Sequence, residues 1–258
     1  MIIDFHTHIW RYPDGSFARG RRQSSAEQLI ASLDRAGVAR AGIVPLAYVQ
    51  APPPRPVMLD NDYMLESVRR YPDRLFGFVE VNPYREDAAA TVAHFLDEGL
   101  TGLKLVPNLH GYQMSDHVLL DPLLAICAAA HAPVFVRAND DITSTPLQIE
   151  EMARTFPEIP AFVIGQMGRK WLFREALMVA KRTANVYLET SDANEDDIFD
   201  AVTGSGAHKV LYASHWFPDE MSFHLSRHRA AIADPDDLAR VLGLNAQQIL
   251  DARAGKQP

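Results

Sequence analysis

Two histidines one residue apart, His6 and His8, close a short apolar run near the start of the chain, MIIDFHTHIW. In a strand, residues i and i+2 share a face roughly 6.5 Å apart. That spacing lets two imidazoles converge on one ion about 2 Å from each nitrogen. Asp4 has the same parity and is expected to orient one of the rings through a hydrogen bond. H-x-H alone is common, and a pair of hydrogen-bonded structural histidines is the competing reading. The position of this pair at the start of a repeating strand–helix pattern favours ligands.

Other polar side chains stand at the ends of apolar runs: Arg137 after APVFV, Gln166 after AFVIG, and His215 after KVLYAS. Lys104 lies inside LTGLKLV, where an ammonium is costly unless its head reaches water or a carboxylate. It is expected either to hold a substrate anion or to snorkel to solvent. His6, His8, Arg137, Gln166 and His215 form the candidate catalytic set. Lys104, Arg137, Trp10 and Trp216 are the candidate substrate-binding residues. Glu80, Glu189 and Asp192 are further strand-end acids, suited to general-base work or, more simply, to ion pairs with Arg137 or Arg169. Arg11, Arg19, Arg21 and Arg22 follow H-x-H in a basic loop that suits either an anion-attracting lid or a solvated surface. His94, His110, His117, His131, His208, His224 and His228 read as surface or helix-end histidines, with His110 set apart by its place just after Lys104. There is no G-x-S-x-G, so a serine hydrolase has no support.

These positions need a scaffold. Eight β-branched or aromatic runs (2–6, 40–46, 75–81, 100–106, 132–137, 161–166, 185–190 and 209–214) alternate with helical patterns. They are nearly continuous apolar runs, as parallel strands covered on both faces require. Ser24-Ser25-Ala26-Glu27 reads as a capping box, Asp121-Pro122 and Thr145-Pro146 as helix starts, and Gly37 and Gly99 as helix ends. Eight strands alternating with helices predict a (β/α)8 TIM-type barrel, residues 1–258 forming one domain. No G-x-G-x-x-G or P-loop supports a doubly wound sheet. The proline-rich stretch 50–56 reads as a stiff loop. In such a barrel the chemistry lies at the C-terminal strand ends, where these polar residues sit.

The formal net charge of −8 argues against nucleic-acid or anionic-membrane partners. No apolar run approaches a spanning helix of roughly 20 residues, and no charged leader opens the chain, so a cytoplasmic protein is expected. A homo-oligomer is compatible with the sequence. Cys127, the single cysteine, sits in an apolar helical stretch and is expected to be buried and inert.

In this order the segments resemble the amidohydrolase-related family, the branch containing aminocarboxymuconate semialdehyde decarboxylase. The resemblance runs from IIDFHTHIW through GLKLVPNLHGYQMSD, RTFPEIPAFVIGQMG, NVYLETS and KVLYASHWFP to NAQQILD. It implies a barrel that binds a divalent metal and hydrolyses or decarboxylates small, often carboxylate-bearing substrates. His6 and His8 match the first two ligands. The family's strand-five histidine, strand-six histidine and strand-eight aspartate fall on Arg137, Gln166 and His215. Arginine offers only donors and cannot ligate a cation, and glutamine is a weak zinc ligand. Two readings remain. Either His6, His8 and His215 hold one zinc or manganese ion, or the metal is gone and Arg137 supplies a fixed positive charge. The expected activity is that of a hydrolase or C–C lyase acting on a small anionic metabolite. The competing class is a non-catalytic binding protein on a degenerate barrel.

Overall fold

The computed structural model describes residues 1–10, 24–45, 60–138, 142–216 and 221–255. The basic loop with its four arginines and the proline-rich stretch 50–56 lie outside the described residues. The eight expected strands are present: β1 (Ile3–Ile9), β2 (Arg40–Pro45), β3 (Leu75–Glu80), β4 (Gly102–Leu105), β5 (Val134–Val136), β6 (Phe162–Ile164), β7 (Val186–Glu189) and β8 (Val210–Leu211). They pair in parallel, in sequence order, within one sheet. Helices alternate with them: α1 (Ala26–Ala36), α2 (Asn61–Arg70), α3 (Ala88–Asp97), α4 (Pro107–His110), α5 (His117–Ala129), α6 (Pro146–Thr155), α7 (Arg169–Arg182), α8 (Glu195–Ser205), α9 (Met221–Ala231), α10 (Pro235–Ala239) and α11 (Asn245–Ala254). The sheet closes on itself beyond the short β8. Phe5 N donates to Tyr212 O (2.9 Å), His215 N to His6 O (3.0 Å) and His8 N to Trp216 O (2.7 Å). The architecture is the (β/α)8 barrel expected. Among the described residues no helix is long and apolar enough to cross a membrane.

Local signals explain most element ends, with two shifts. The α1 capping box is Ser25 with Gln28, one residue later than expected. Ser24 is unavailable because its hydroxyl donates to the His8 carbonyl (2.7 Å). Thr145 caps α6 with Pro146 at its first position, as expected. Asp121-Pro122 does not start a helix. Asp116 caps α5 five residues before Asp121, accepting from Leu119 N (3.1 Å), and Pro122 lies inside the helix. Gly37 and Gly99 both have positive φ after α1 and α3.

The barrel interior is built on size alternation. Phe5 on β1, Phe76 and Phe78 on β3 and Phe135 on β5 pack in tilted and edge-to-face pairs with centroids 5.6–6.3 Å apart. The intervening strands carry glycine. A Cβ at Gly42 of β2 would lie 2.4 Å from the Phe5 carbonyl and 2.7 Å from the Phe76 ring. At Gly102 of β4 it would meet the Phe78 ring at 2.9 Å, and at Gly165 after β6 the Phe135 ring at 3.0 Å. Odd strands thus supply rings, and even strands supply the room for them. Ala246, Ile249 and Leu250 of α11 join this cluster and close the barrel end opposite the histidines. A second apolar cluster fills the layer between strands and helices and contains Cys127, whose burial pushes its thiol up to about 12.

β1 does not keep a simple alternation. Its pairing with β2 shifts between Asp4↔Ala41 and Thr7↔Ile43, so β1 carries one extra residue, a β-bulge. The bulge turns both Phe5 and His6 into the barrel. Phe5 packs in the aromatic layer and the His6 ring stands on Phe135, centroids 4.6 Å apart. Gly42 is the residue that lets the bulged backbone approach. Replacing Gly42 with alanine pushes against backbone, which cannot step aside, and is expected to destabilise the fold by about 1–3 kcal/mol. Urea unfolding of the Gly42→Ala variant measures this; an unchanged midpoint contradicts the packing described.

Candidate active site

The C-terminal mouth of the barrel gathers four of the expected residues. His6 and His8 are 4% and 6% exposed, with Nε2 atoms 3.1 Å apart. His215 joins them, its ring centroid 4.9 Å from His6 and 5.0 Å from His8. Lys104, on the inner face of β4, brings Nζ to 3.3 Å from His6 Nε2 and 4.9 Å from the Phe135 ring centroid. The aromatic layer is therefore the floor of the polar site.

Glu189, at the end of β7, orients His6. His6 Nδ1–H donates to Glu189 Oε1 (2.9 Å), with Ser191 Oγ at 3.1 Å. Glu189 Oε2 accepts from Ser191 N at 2.5 Å. That commitment leaves the His6 Nε2 lone pair facing His8 and Lys104. Asp4 does not have the role expected of it. The bulge removes it from the parity of His6 and His8, and its Oδ1 accepts from the backbone N–H of His6 (3.2 Å) and Ser214 (3.0 Å). Asp4 thereby ties the bulge to the end of β8. Glu189, expected in an ion pair with Arg137 or Arg169, is the residue that holds the ring.

His215, Asp192 and Gln166 form a second tier. Asp192 Oδ1 lies 3.4 Å from His215 Nδ1, and its Oδ2 accepts from Gln166 Nε2 (2.6 Å) and Arg169 Nη1 (3.5 Å). All three have φ between 53° and 61°, a conformation uncommon outside glycine. One carboxylate thus links three strained strand ends, and strain at such ends is a recurrent mark of functional sites. Arg137 follows β5 on the inner face, near enough that its charge disfavours protonation of His6, His8 and Lys104. Trp10 is half-buried at the end of β1. Trp216 is buried, packs with the strand–helix cluster and pairs with Thr7 of β1.

Burial dominates the electrostatics. It holds His6 and His8 well below the usual imidazole range, with the Lys104 charge adding to the effect. It brings Lys104 down to about 8 and raises Glu189 and Asp4, the latter to about 7. Burial lowers the pKa of a base and raises that of an acid because both shifts favour the neutral form. Among the described residues, no carboxylate lies within ion-pairing distance of Lys104. Two histidines expected at the surface are buried instead. His224 and His228 lie on the inner side of α9, where His228 Nδ1–H donates to the His224 carbonyl (2.8 Å) and Nε2 meets Thr190 Oγ1 (2.9 Å). The His110 side chain is also buried, at 4% exposure.

Three imidazoles suit a divalent ion. One ring nitrogen from each of His6, His8 and His215 lies within 4.8 Å of the others. Two nitrogens bound about 2 Å from a tetrahedral ion stand about 3.3 Å apart, close to the 3.1 Å between His6 and His8. Glu189 on His6 Nδ1 is the carboxylate support that metal-binding histidines commonly have. Lys104 opposes the ion, because its ammonium and a metal compete for the same Nε2 lone pair. Two substitutions separate these effects in a zinc competition against a chromophoric chelator. Glu189→Gln is expected to weaken zinc roughly 10- to 100-fold, and Lys104→Met to tighten it. Equal affinity in all three proteins contradicts a site at His6.

The family model described as Amidohydrolase matches residues 3–252. No curated protein matches the sequence. Among solved structures, an uncharacterised TIM-barrel protein from Bordetella bronchiseptica is 21% identical, with 98% of this chain and 99% of that one covered and a TM-score of 0.79. A probable 2-pyrone-4,6-dicarboxylic acid hydrolase from Acinetobacter baumannii, with citric acid bound, is 16% identical over 97% of this chain and 99% of that one, TM-score 0.66. A dihydroxybenzoic acid decarboxylase from Polaromonas, with bound manganese and 2-nitroresorcinol, is 15% identical over 97% of this chain and 96% of that one, TM-score 0.74. At these identities the structures bear on the fold alone. The match across nearly the whole sequence decides the family: this chain belongs to the amidohydrolase family.

Proposed function

We propose that the protein is an enzyme that binds the carboxylate of a small metabolite at Lys104 and cleaves a bond near it, by hydrolysis or by decarboxylation. The observation that carries this reading is the Lys104 ammonium. It is buried inside the barrel, over an aromatic floor, with no carboxylate in ion-pairing range among the described residues. A buried charge is costly unless paired, and an anionic ligand supplies the missing partner. Arg137, on the inner face of the next strand, adds a second positive charge that attracts the same anion.

His6, His8 and His215 then face the reacting group. The buried imidazoles of His6 and His8, held toward their neutral form, are suited to accept and return a proton. Glu189 holds the tautomer of His6, and Asp192 holds His215 and Gln166 in place. A zinc or manganese ion held by His6, His8 and His215 would supply Lewis-acid polarisation of the substrate. The manganese of the Polaromonas decarboxylase and the citric acid of the Acinetobacter hydrolase are in keeping with a site that takes a metal, an acid, or both.

The test is turnover. Lactones, amides, β-keto acids and aromatic acids are incubated with the protein, with and without added zinc or manganese, and products are read by mass spectrometry. At least one carboxylate is expected to be converted. Lys104→Met and Arg137→Ala should each lower kcat/KM by about 2–4 kcal/mol, roughly 30- to 1,000-fold. Tight binding of a carboxylate with no turnover under any metal condition would make the barrel a binding protein and overturn the enzymatic reading.

A further inference from the structure

Next to Lys104 is a group of polar atoms that the reading above does not use. Glu80, at the end of β3, pairs in register with Lys104 on β4, and alternation from Phe76 and Phe78 places it on the inner face. Its backbone is clamped by Asn61: Glu80 N donates to Asn61 Oδ1 (3.0 Å), and Asn61 Nδ2 donates to the Glu80 carbonyl (2.8 Å). The side chain is fully buried, yet neither carboxylate oxygen makes a hydrogen bond among the described residues. His110, the last residue of α4, brings Nε2 to 3.6 Å from Glu80 Oε1, outside hydrogen-bond range, and that nitrogen makes none either. Tyr112 is 2% exposed, and its hydroxyl oxygen lies by the Val106 backbone N–H while its proton has no acceptor among the described residues. Glu80 lies near enough for its charge to add to burial in raising the Tyr112 phenol.

Folded proteins satisfy nearly all buried polar atoms. Glu80 and His110, side by side, and Tyr112, within reach of the Glu80 charge, therefore call for a polar partner that the described residues do not supply. Their chemistry restricts that partner. An ionised Glu80 only accepts, the Tyr112 hydroxyl donates, and His110 Nε2 does either according to tautomer. An ammonium would satisfy Glu80 but leave the Tyr112 proton without an acceptor, and Lys104 would repel it. A second carboxylate would be repelled by Glu80. A hydroxyl donates to Glu80 and accepts from Tyr112 or His110.

We propose that Glu80, His110 and Tyr112 form a subsite that recognises a hydroxyl of the substrate, beside the carboxylate held by Lys104. The proposal rests on the carboxylate reading of Lys104. It adds three specificity-determining residues on β3 and just after β4, away from the histidines. Water offers the same hydrogen-bonding pattern as a substrate hydroxyl, and the experiment separates the two.

The probes are benzoate and 2-, 3- and 4-hydroxybenzoate, whose rigid ring fixes the spacing between acid and hydroxyl. Isothermal titration calorimetry gives the affinity of each for the wild type and for Glu80→Gln, Tyr112→Phe and Lys104→Met. One hydroxy isomer is expected to bind the wild type at least tenfold more tightly than benzoate. That advantage should fall to within about threefold in Glu80→Gln and Tyr112→Phe, with benzoate unchanged, while Lys104→Met weakens all four acids alike. If no hydroxy isomer exceeds benzoate in the wild type, or the advantage survives both substitutions, the three residues hold water and the subsite is refuted, leaving Lys104 as the carboxylate anchor. If no acid binds the wild type, the carboxylate reading falls and takes the subsite with it. The wild-type comparison decides even if a substitution at these buried positions prevents folding.

Discussion

The single extra residue in β1 is the constraint on which the site depends. In a regular strand, Phe5 and His6 would point to opposite faces. The bulge sends both inward, so one strand supplies part of the aromatic floor and the two histidines above it. Three features hold the bulge: the bare backbone of Gly42, which leaves room for the Phe5 carbonyl; Asp4, which accepts from the His6 and Ser214 N–H groups; and the bonds from Phe5, His8 and His215 that close the sheet. Bulges next to active sites re-aim side chains in this way. Here the re-aimed residue is the one that touches His8, Glu189, Ser191, Lys104 and Phe135.

Above that floor, the buried Lys104 ammonium has His6 Nε2 at 3.3 Å and no carboxylate in ion-pairing range among the described residues. Lys104 and Arg137 bring positive charge into a pocket where burial already favours neutral imidazoles. Glu189 is engaged by His6 and Ser191, and Asp192 by His215, Gln166 and Arg169. The remaining electrostatic capacity points toward a ligand: an anion beside Lys104, and an ion or a proton among the three histidines. A metal here is opposed by the lysine and supported by Glu189, so occupancy depends on which of them prevails at His6 Nε2.

Much of this was legible in the sequence. Alternating apolar runs and helical patterns gave eight strands in the right order, and H-x-H, Lys104 and His215 were placed at one mouth because strand ends converge there. The bulge was not legible, because period-2 reasoning assumes that no residue is inserted; Asp4 was therefore assigned to the wrong face. The link from Glu189 to His6 joins residues far apart in sequence and leaves no local trace. The burial of His224 and His228 did have a signal. Met221, His224, Leu225 and His228 follow the i, i+3, i+4, i+7 spacing of a buried helix face, but histidines occupy two of the four places. The α5 start is ambiguous in the sequence because Asp116 and Asp121 both resemble caps, and a proline inside a helix is uncommon.

The most direct test of the account is a crystal structure of the protein with a bound carboxylate, soaked with benzoate at neutral pH. An acid group is expected within hydrogen-bond distance of Lys104 Nζ, inside the barrel mouth and beside His6. A benzoate bound elsewhere, with Lys104 instead paired to a protein carboxylate, would contradict it.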